Sequence, residues 1–490
     1  MAQKIIGREH EIKEIKALYQ ANKPVFAVIY GRRRVGKTFL VRELLGDKFN
    51  FYHTGLSPYE LKGKKLKDQQ LSNFYSSLVK YGSTLKHIPA DWLEAFNALI
   101  ALLEEQGTSK RQVVFIDELP WLDTPNSRFI KALELFWNSW GSTCTRLKFF
   151  VCGSATTWML SKIIGDRGGL HNRVTHRIYL RSFTLSETED YLKANGFVYN
   201  RQQIIDVYMI LGGIPFYLSM LRASLGVEQN VDQLFFAEDA PLRDEYGLLW
   251  RSLFKDAGKY TRVVELLAKH GKGLTKAEIV KALKATDNGA FTKVLHNLVA
   301  CDFLRRFSAF GKKERDMMYQ LIDPYTLFYI RFVKDDNHTD HHKWTNMMLQ
   351  GAQNAWKGYA FEQVCLRHID QLKQGLGVSG MLTNVCSWQC APGKCGEEGE
   401  NHKGAQIDLL INRSDGIINL CEMKYSSRPF AITSAYAREM DNRREVFRSV
   451  THTKKALHLT IVTPHGVAHN SNMGAVQSQI TASHLFLPPE

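Results

Sequence analysis

Apolar positions along this chain fall into two periods, and the switches between them outline its elements. "VFAVIY", Val25 to Tyr30, is a continuous β-prone run, as a parallel strand buried on both faces requires. Helical spacing follows from Phe39 to Leu45. "QVVFIDEL" and "RLKFFVCGSA" repeat the buried-strand pattern, with helical stretches between them. Strands alternating with helices predict a parallel α/β sheet whose ligand lies at the carboxyl ends of the strands. From about Lys255 the pattern changes. "RVVELLAKHG", "TKAEIVKAL" and "NGAFTKVLHNLVACDFLRRF" are short helical patterns, broken at Gly271 to Leu274 and at Thr286 to Gly289. "LRRFSAFGKKERDMMYQLID" reads as a two-stranded wing around Gly311-Lys312-Lys313, which completes a winged helix-turn-helix. "IDPYTLFYIRFVK" has helical spacing and reads as core. The last part runs helix ("WKGYAFEQVCLRHIDQL"), two strands ("GAQIDLLINRSDGIINLCEMKYSS"), polar helix ("TSAYAREMDNRREVFRSV") and strand ("ALHLTIVTP").

Composition adds one constraint. The 490 residues are enough for two to four domains, and 44% hydrophobic with 23% charged residues is ordinary. A formal charge of +15 is not, and it favours a polyanionic partner, nucleic acid or an anionic membrane surface. No run of about 18 apolar residues appears, so no membrane span is expected. The opening "MAQKIIGREHEIKEIK" lacks the apolar core of a signal peptide. Eight cysteines without a regular framework fit a reducing, cytoplasmic setting.

The strongest chemical signal follows the first strand. Gly31, Gly36, Lys37 and Thr38 fit G-x-x-x-x-G-K-[ST], between a strand and a helix. Glycines let backbone N–H groups wrap phosphates at a helix N-terminus, where the dipole also favours anions. Lys37 would reach the β- and γ-phosphates of ATP and Thr38 would ligate Mg²⁺, with Arg34, Val35 and Phe39 among the nucleotide contacts. Asp117 ends the second strand as a Mg²⁺-shell carboxylate, and Glu118 can polarise the attacking water. A pair of helix-capping acids is the plainer alternative. Ser154, at the third strand's tip, is placed beside the γ-phosphate.

The order "IGREHEIKEI", "GRRRVGKT", "VVFIDEL", "FFVCGSATTWM", "GLHNRVT", "LGGIPFYL" resembles the ATPase domain of the archaeal-type AAA+ ATPases, relatives of the initiator and signal-transducing branch, over about residues 1–230. The resemblance implies that Gly7-Arg8-Glu9 lies near the adenine, that "GGIPFYL" opens a packing helix of the lid, and that Arg173 follows sensor 1 as a finger reaching a neighbouring nucleotide, which requires a homo-oligomer. The family often has Pro-Leu-Tyr-Gly-Arg where this chain reads Gly169-Leu170-His171-Asn172-Arg173, so Arg167 and Arg177 compete for that role.

Residues 255–316 hold 14 Lys/Arg against 7 Asp/Glu, and Asn288, Thr292, Lys293 and His296 mark a recognition-helix candidate for DNA. A winged helix used only for packing is the alternative. In the hairpin near the end, Asp408 lies opposite Glu422 to within about one residue, and alternation puts Glu422 and Lys424 on one face. Two carboxylates suit Mg²⁺ or Mn²⁺, and Lys424 would steady water and developing phosphate charge. With Glu362 on the preceding helix, the α-β-β-α-β order resembles the PD-(D/E)XK nuclease fold, a companion of archaeal-type ATPases. Gln406 stands where that fold often has Glu, a position from which little follows. Cys386, Cys390, Cys395 and His402 have irregular spacing and read as free thiols and a loop histidine rather than a zinc site.

The expected class is α/β: a P-loop AAA+ core at 1–180, a helical lid at 181–254, a winged helix and linker at 255–335, and a PD-(D/E)XK-like domain at 336–490. The expected function is ATP-dependent action on DNA with metal-dependent phosphodiester cleavage. The alternatives are an ATP-driven switch or scaffold that binds without cutting, and a DNA-binding regulator with a slow ATPase timer.

Overall fold

The computed structural model describes residues 5–57, 64–107, 111–165, 168–254, 256–312, 316–337, 339–349, 353–395, 400–402 and 404–488. The chain separates into two compact units, Met1–Ser182 and Phe183–Glu490.

The first unit is a five-stranded parallel sheet: β1 (Val25–Tyr30), β2 (Phe49–Thr54), β3 (Gln112–Asp117), β4 (Leu147–Gly153) and β5 (His176–Tyr179), in the order β2-β3-β4-β1-β5. The three strands anticipated from their apolar runs are its centre, and β3 and β4 are buried along their whole length. The edge strands β2 and β5 were not anticipated. "FNFYHT" carries polar residues at alternate positions and "HRIY" is too short to show a period. Phe26, Val28, Val114, Ile116, Phe149 and Val151 pack one face of the sheet against helices Trp92–Glu105 and Phe129–Phe136. That face leaves the carboxyl ends of β1, β3 and β4 side by side, where Gly31, Asp117 and Ser154 emerge.

The second unit begins with a helical segment, residues 183–254. His368 accepts a hydrogen bond from Leu185 N at 3.0 Å, at the start of helix Leu185–Ala194, and burial lowers its pKa to about 4, which keeps the ring neutral as an acceptor. In helix Arg201–Leu211, Asp206 accepts from the Tyr425 hydroxyl, and Gln202 Nε2 donates to the same oxygen at 2.6 Å. These bonds tie the segment to the last part of the chain, and contacts place residues 183–254 in the same unit as that part.

Next come helices Ala257–Ala268, Lys276–Leu283 and Gly289–Ala300 with a three-stranded antiparallel sheet, β6 (Leu274–Thr275), β7 (Leu304–Phe307) and β8 (Met318–Leu321), in the order β6-β8-β7. Part of the anticipated wing tip, residues 313–315, lies outside the described residues. The aromatic run after it is core: Tyr325 and Phe328 are buried, and the Tyr325 hydroxyl donates to Leu242 O at 2.8 Å.

The last domain is a mixed sheet of β9 (Thr383–Cys390), β12 (Ala405–Arg413), β13 (Ile417–Met423), β14 (Ala456–Val462) and β15 (Ser478–Ile480), in the order β15-β14-β13-β12-β9. Strands β10 (Gly393–Cys395) and β11 (Glu400–His402) form a separate ribbon. β9, β12 and β13 are antiparallel neighbours, whereas β13, β14 and β15 run parallel. Helix Ser434–Thr451 packs Met440, Val446 and Phe447 on one face of the sheet, and helix Asn354–Arg367 lies against β13. Among the described residues, no helix is long and apolar enough to cross a membrane.

The turn at Gly212-Gly213 tests the lid packing. Gly213 has φ +67, and a Cβ there would sit 2.3 Å from Phe183 O and 2.6 Å from the Tyr208 ring. Gly213→Ala is expected to lower stability by at least about 1–3 kcal/mol in urea unfolding, whereas Gly196→Ala, with φ +81 but open space, should lose less.

Candidate functional site

The first site is the loop between β1 and helix Lys37–Leu45. Gly31 (φ +144), Arg34 (φ +72) and Gly36 (φ +90) take backbone conformations that turn the loop around its own centre. A Cβ on Gly31 would lie 2.2 Å from Leu180 O, so only glycine fits there. Lys37 is buried, and its Nζ donates to Gly31 O at 3.0 Å and Arg32 O at 2.9 Å. Val35 is buried and Phe39 is exposed on the first helical turn. Arg8 Nη2 donates to Val35 O at 3.3 Å and to Arg181 O, 2.6 Å away, which clasps the loop from outside. Arg8 therefore braces the loop.

Three strand-end residues complete this site. Thr38 Oγ1 donates to Asp117 Oδ2 at 2.8 Å, which brings together the hydroxyl and carboxylate suited to Mg²⁺. The other Asp117 oxygen accepts from Glu118 N at 2.8 Å and from the Cys152 thiol. Glu118 sits at φ +47, and its Oε2 accepts from Ser154 Oγ at 2.9 Å and Ser154 N at 3.2 Å. Burial raises the Glu118 carboxyl above the usual carboxylate range, Lys37 opposes this, and Asp117 adds to it. Glu118 and Ser154, inferred separately from sequence, thus form one pair. Arg173 closes an exposed turn, its N–H donating to Leu170 O at 3.0 Å, and its side chain makes no hydrogen bond or ion pair among the described residues. Arg177 is exposed on β5, and Arg167 lies outside the described residues.

In the basic module Lys293 and His296 are exposed on helix Gly289–Ala300. Asn288 is instead the helix cap, accepting from Phe291 N at 2.9 Å, and the Thr292 hydroxyl donates to Asn288 O at 3.1 Å. Both side chains hydrogen-bond within their own helix.

The second site lies at the open end of the β12–β13 hairpin. Leu409 pairs with Cys421, so the next positions outward are Asp408 and Glu422. Three steps along β12 from Ile407 to Leu410 match two steps along β9 from Trp388 to Cys386, a β-bulge containing Asp408. The extra residue lets Ile407 and Leu410 both join the core while Asp408 lines a cavity with Glu362, Gln406 and Arg305. Glu422 is clamped: Lys424 Nζ lies 2.9 Å from one oxygen and Arg443 Nη1 2.7 Å from the other. Burial raises the Asp408 carboxyl; the Gln406 amide, which donates to it, opposes the rise and Glu422 adds to it. Glu362 is pushed up to about 8 by burial and then by Asp408, with Arg305 opposing. Among the described residues, no group of three or more His, Cys, Asp or Glu forms a ready metal shell.

Sequence reasoning undervalued Gln406, which holds Asp408, and missed Arg443, Arg305 and Lys272. Arg443 belongs to a polar helix in which several arginines look alike, and only the fold selects it. Cys386 is buried in β9 and Cys390 is half-buried, both as free thiols. The side chains of Cys395 and His402 lie outside the described residues.

Residues 5–221 match a family described as an ATPase domain predominantly from Archaea. Over 428 residues the chain is 23% identical to the uncharacterized protein MJECL04 of Methanocaldococcus jannaschii, covering 86% of this chain and 87% of that one. A 43-residue stretch, 9% of this chain, is 37% identical to the uncharacterized ATP-binding protein MJ0423 of the same organism and covers 73% of it. Among solved structures, the Walker-type ATPase paby2304 of Pyrococcus abyssi matches at 20% identity over 67% of this chain and 96% of that one, with a TM-score of 0.47. The ORC2 protein of Aeropyrum pernix matches at 13% identity over 72% and 96%, with a TM-score of 0.40. The N-terminal part of the chain thus has the parallel-sheet α/β fold of a P-loop ATPase, and its residues 5–221 match that family's model.

Glu362 yields a pH test. Its folded pKa, about 8, stands above the ordinary carboxyl value of 4.5, so the folded state binds a proton that the unfolded state has released. The resulting loss of stability begins above about pH 4.5 and is complete above about pH 8, with a ceiling of about 5 kcal/mol. Glu362→Gln in EDTA should therefore melt close to wild type at pH 4.5 and increasingly above it toward pH 9. A constant difference across that range would remove Glu362 as the titrating group.

Proposed function

We propose that this chain uses ATP binding and hydrolysis to act on DNA, and that its mixed-sheet domain cleaves phosphodiester bonds with a divalent metal. The observation that carries this reading is the gathering of Asp408, Glu422, Lys424 and Glu362 at one end of a hairpin, in a chain that also holds a complete P-loop. Net charge of +15 and the basic module support a polyanionic partner.

In the ATPase site, Lys37 would exchange its two loop carbonyls for the β- and γ-phosphates, and Thr38 with Asp117 would hold Mg²⁺, which neutralises phosphate charge when bound. Glu118, oriented by Ser154, would polarise the attacking water. In the second site, Asp408 and Glu422 would hold Mg²⁺ or Mn²⁺, with Glu362 behind them; burial raises the Asp408 and Glu362 carboxyls, and a bound cation would favour their ionised forms. The bound cation supplies Lewis acidity and a more acidic water. Lys424 would orient the attacking water and face the charge that grows on phosphate. The water oxygen would bond to phosphorus as the water gives up one proton to solvent, the bond to the leaving sugar oxygen would break, and that oxygen would take a proton from solvent.

One observation favours a second reading, a switch that binds DNA or a protein without cutting. Both Glu422 oxygens are already paired, with Lys424 and Arg443, so a cation must compete for that carboxylate.

Glu118→Gln should retain ATP binding and lose at least ten-fold in steady-state turnover; equal rates would remove Glu118 from the mechanism. Purified protein should nick or cut DNA only with Mg²⁺ or Mn²⁺, and EDTA should abolish cutting. Asp408→Ala and Glu422→Ala should lose metal binding and cutting together, whereas Lys424→Ala should keep the metal and lose most of the rate. ATP turnover should survive all three. Mn²⁺ binding without cleavage of duplex, single-stranded, branched or RNA substrates would favour the switch.

A further inference from the structure

Two buried side chains meet at the carboxyl ends of the central strands. Ile116 on β3 pairs with Val151 on β4, so one step further along both parallel strands sets Asp117 beside Cys152 on the same face of the sheet. Asp117 is 5% exposed and Cys152 is fully buried. The Cys152 thiol donates to Asp117 Oδ1, its one hydrogen bond among the described residues. A thiol suits such a place, because it packs as a small apolar group and still carries a donor.

A carboxylate withdrawn from water is stable only with donors around it. Asp117 has three: Glu118 N at 2.8 Å and the Cys152 thiol on Oδ1, and the Thr38 hydroxyl at 2.8 Å on Oδ2. They do different work. Glu118 N belongs to the adjoining residue, in a turn at φ +47. Thr38 opens the helix after the phosphate loop and shares Oδ2 with whatever enters the site. The thiol alone comes from outside these moving parts, on a strand buried from Leu147 to Gly153. It pins Oδ1 from the sheet, and a planar carboxylate pinned at one oxygen presents the other in a set direction, here toward Thr38. Direction counts at this place, since Mg²⁺ beside a nucleotide is held by one or two carboxylates together with the substrate's phosphates rather than by a cage of protein groups.

We propose that Cys152 is a positioning residue of the ATPase site, whose thiol holds the Asp117 carboxylate so that Oδ2 meets Thr38 where the cation of an Mg²⁺–nucleotide would sit. This rests on the reading of Thr38 and Asp117 as the Mg²⁺ side of that site. It gives β4 a second role there, next to Ser154 and its bond to Glu118.

Three variants of the full chain separate donation from packing. Cys152→Ser keeps a donor, Cys152→Ala removes it and leaves a small void, and Cys152→Val removes it and fills the void. Mn²⁺ binding to the ADP-loaded protein is read by electron paramagnetic resonance, and binding of mant-ADP is read by fluorescence in EDTA. Cys152→Ala and Cys152→Val should each weaken Mn²⁺ binding about ten-fold, and Cys152→Ser should stay within about three-fold of wild type. All three should bind mant-ADP in EDTA as wild type does, since Lys37 and its loop are untouched. The infrared S–H stretch is a readout that needs no cation and stands even if Cys152→Ala and Cys152→Val fail to fold. The difference between wild type and Cys152→Ser isolates the Cys152 band, and the same difference on an Asp117→Asn background should lie at higher frequency, because the charged acceptor is gone. A band that Asp117→Asn leaves unmoved would overturn the proposal. So would Mn²⁺ affinity that follows packing instead, lost in Cys152→Ser and kept in Cys152→Val. Wild type with ADP that takes no more Mn²⁺ than ADP alone would defeat the Mg²⁺ reading and this role together. Wild type that takes it, beside Cys152→Ala and Cys152→Val that take it equally, would defeat the role of Cys152 alone.

Discussion

Glu422 is held between Lys424 and Arg443 because a carboxylate withdrawn from water is stable only beside positive charge or donors. The same constraint governs its neighbours, and each meets it differently. Asp408 has the Gln406 amide, a neutral donor that only partly offsets burial. Among the described residues Glu362 has no contacting cation, and burial together with the nearby Asp408 pushes its carboxyl up to about 8. The arginine that opposes this rise comes from β7, in another module. The end of the hairpin is thus a place where acidic groups have been brought together and each is balanced differently.

Strand ends do comparable work in the first unit. β3 delivers Asp117 to Thr38 and then turns sharply, with Glu118 in the left-handed region, so that two adjacent acids point to different partners: Asp117 to Thr38 and Cys152, Glu118 to Ser154. A left-handed glutamate is strained, and strain of this kind persists only where surrounding bonds over-determine it. The donors from Ser154 N and Oγ supply that determination.

What was legible in the sequence follows the range of each interaction. The P-loop could be read because its chemistry lies within eight consecutive residues, and Asp117-Glu118 because a fully apolar strand announced them. The Asp408–Glu422 register could be read because a short turn fixes it locally. Gln406 was visible but undervalued, since only the bulge at 407–410 shows why Asp408 needs a partner two residues back. Arg305 and Arg443 were not legible. The carboxylates of the hairpin end that they face lie 57 or more and 21 residues away in sequence, and one arginine among many in a basic chain carries no mark of what the fold will set beside it.

The domain boundaries show the same limit from another side. The family match ends at residue 221, yet contacts assign residues from Phe183 onward to the second unit. Helix Arg201–Leu211 lies within the ATPase match, but its Gln202 and Asp206 bind the hydroxyl of Tyr425, the residue directly after Lys424. Burial pushes the Tyr425 hydroxyl far up, with Asp206 adding to the rise, so it remains a neutral donor to Asp206 at any ordinary pH. The backbone leaving β13 is therefore pinned to a helix of the ATPase-matching segment immediately beyond the lysine that pairs with Glu422. A displacement of that helix must either carry Tyr425 with it or break both hydrogen bonds, and the first of these moves the main chain at Lys424.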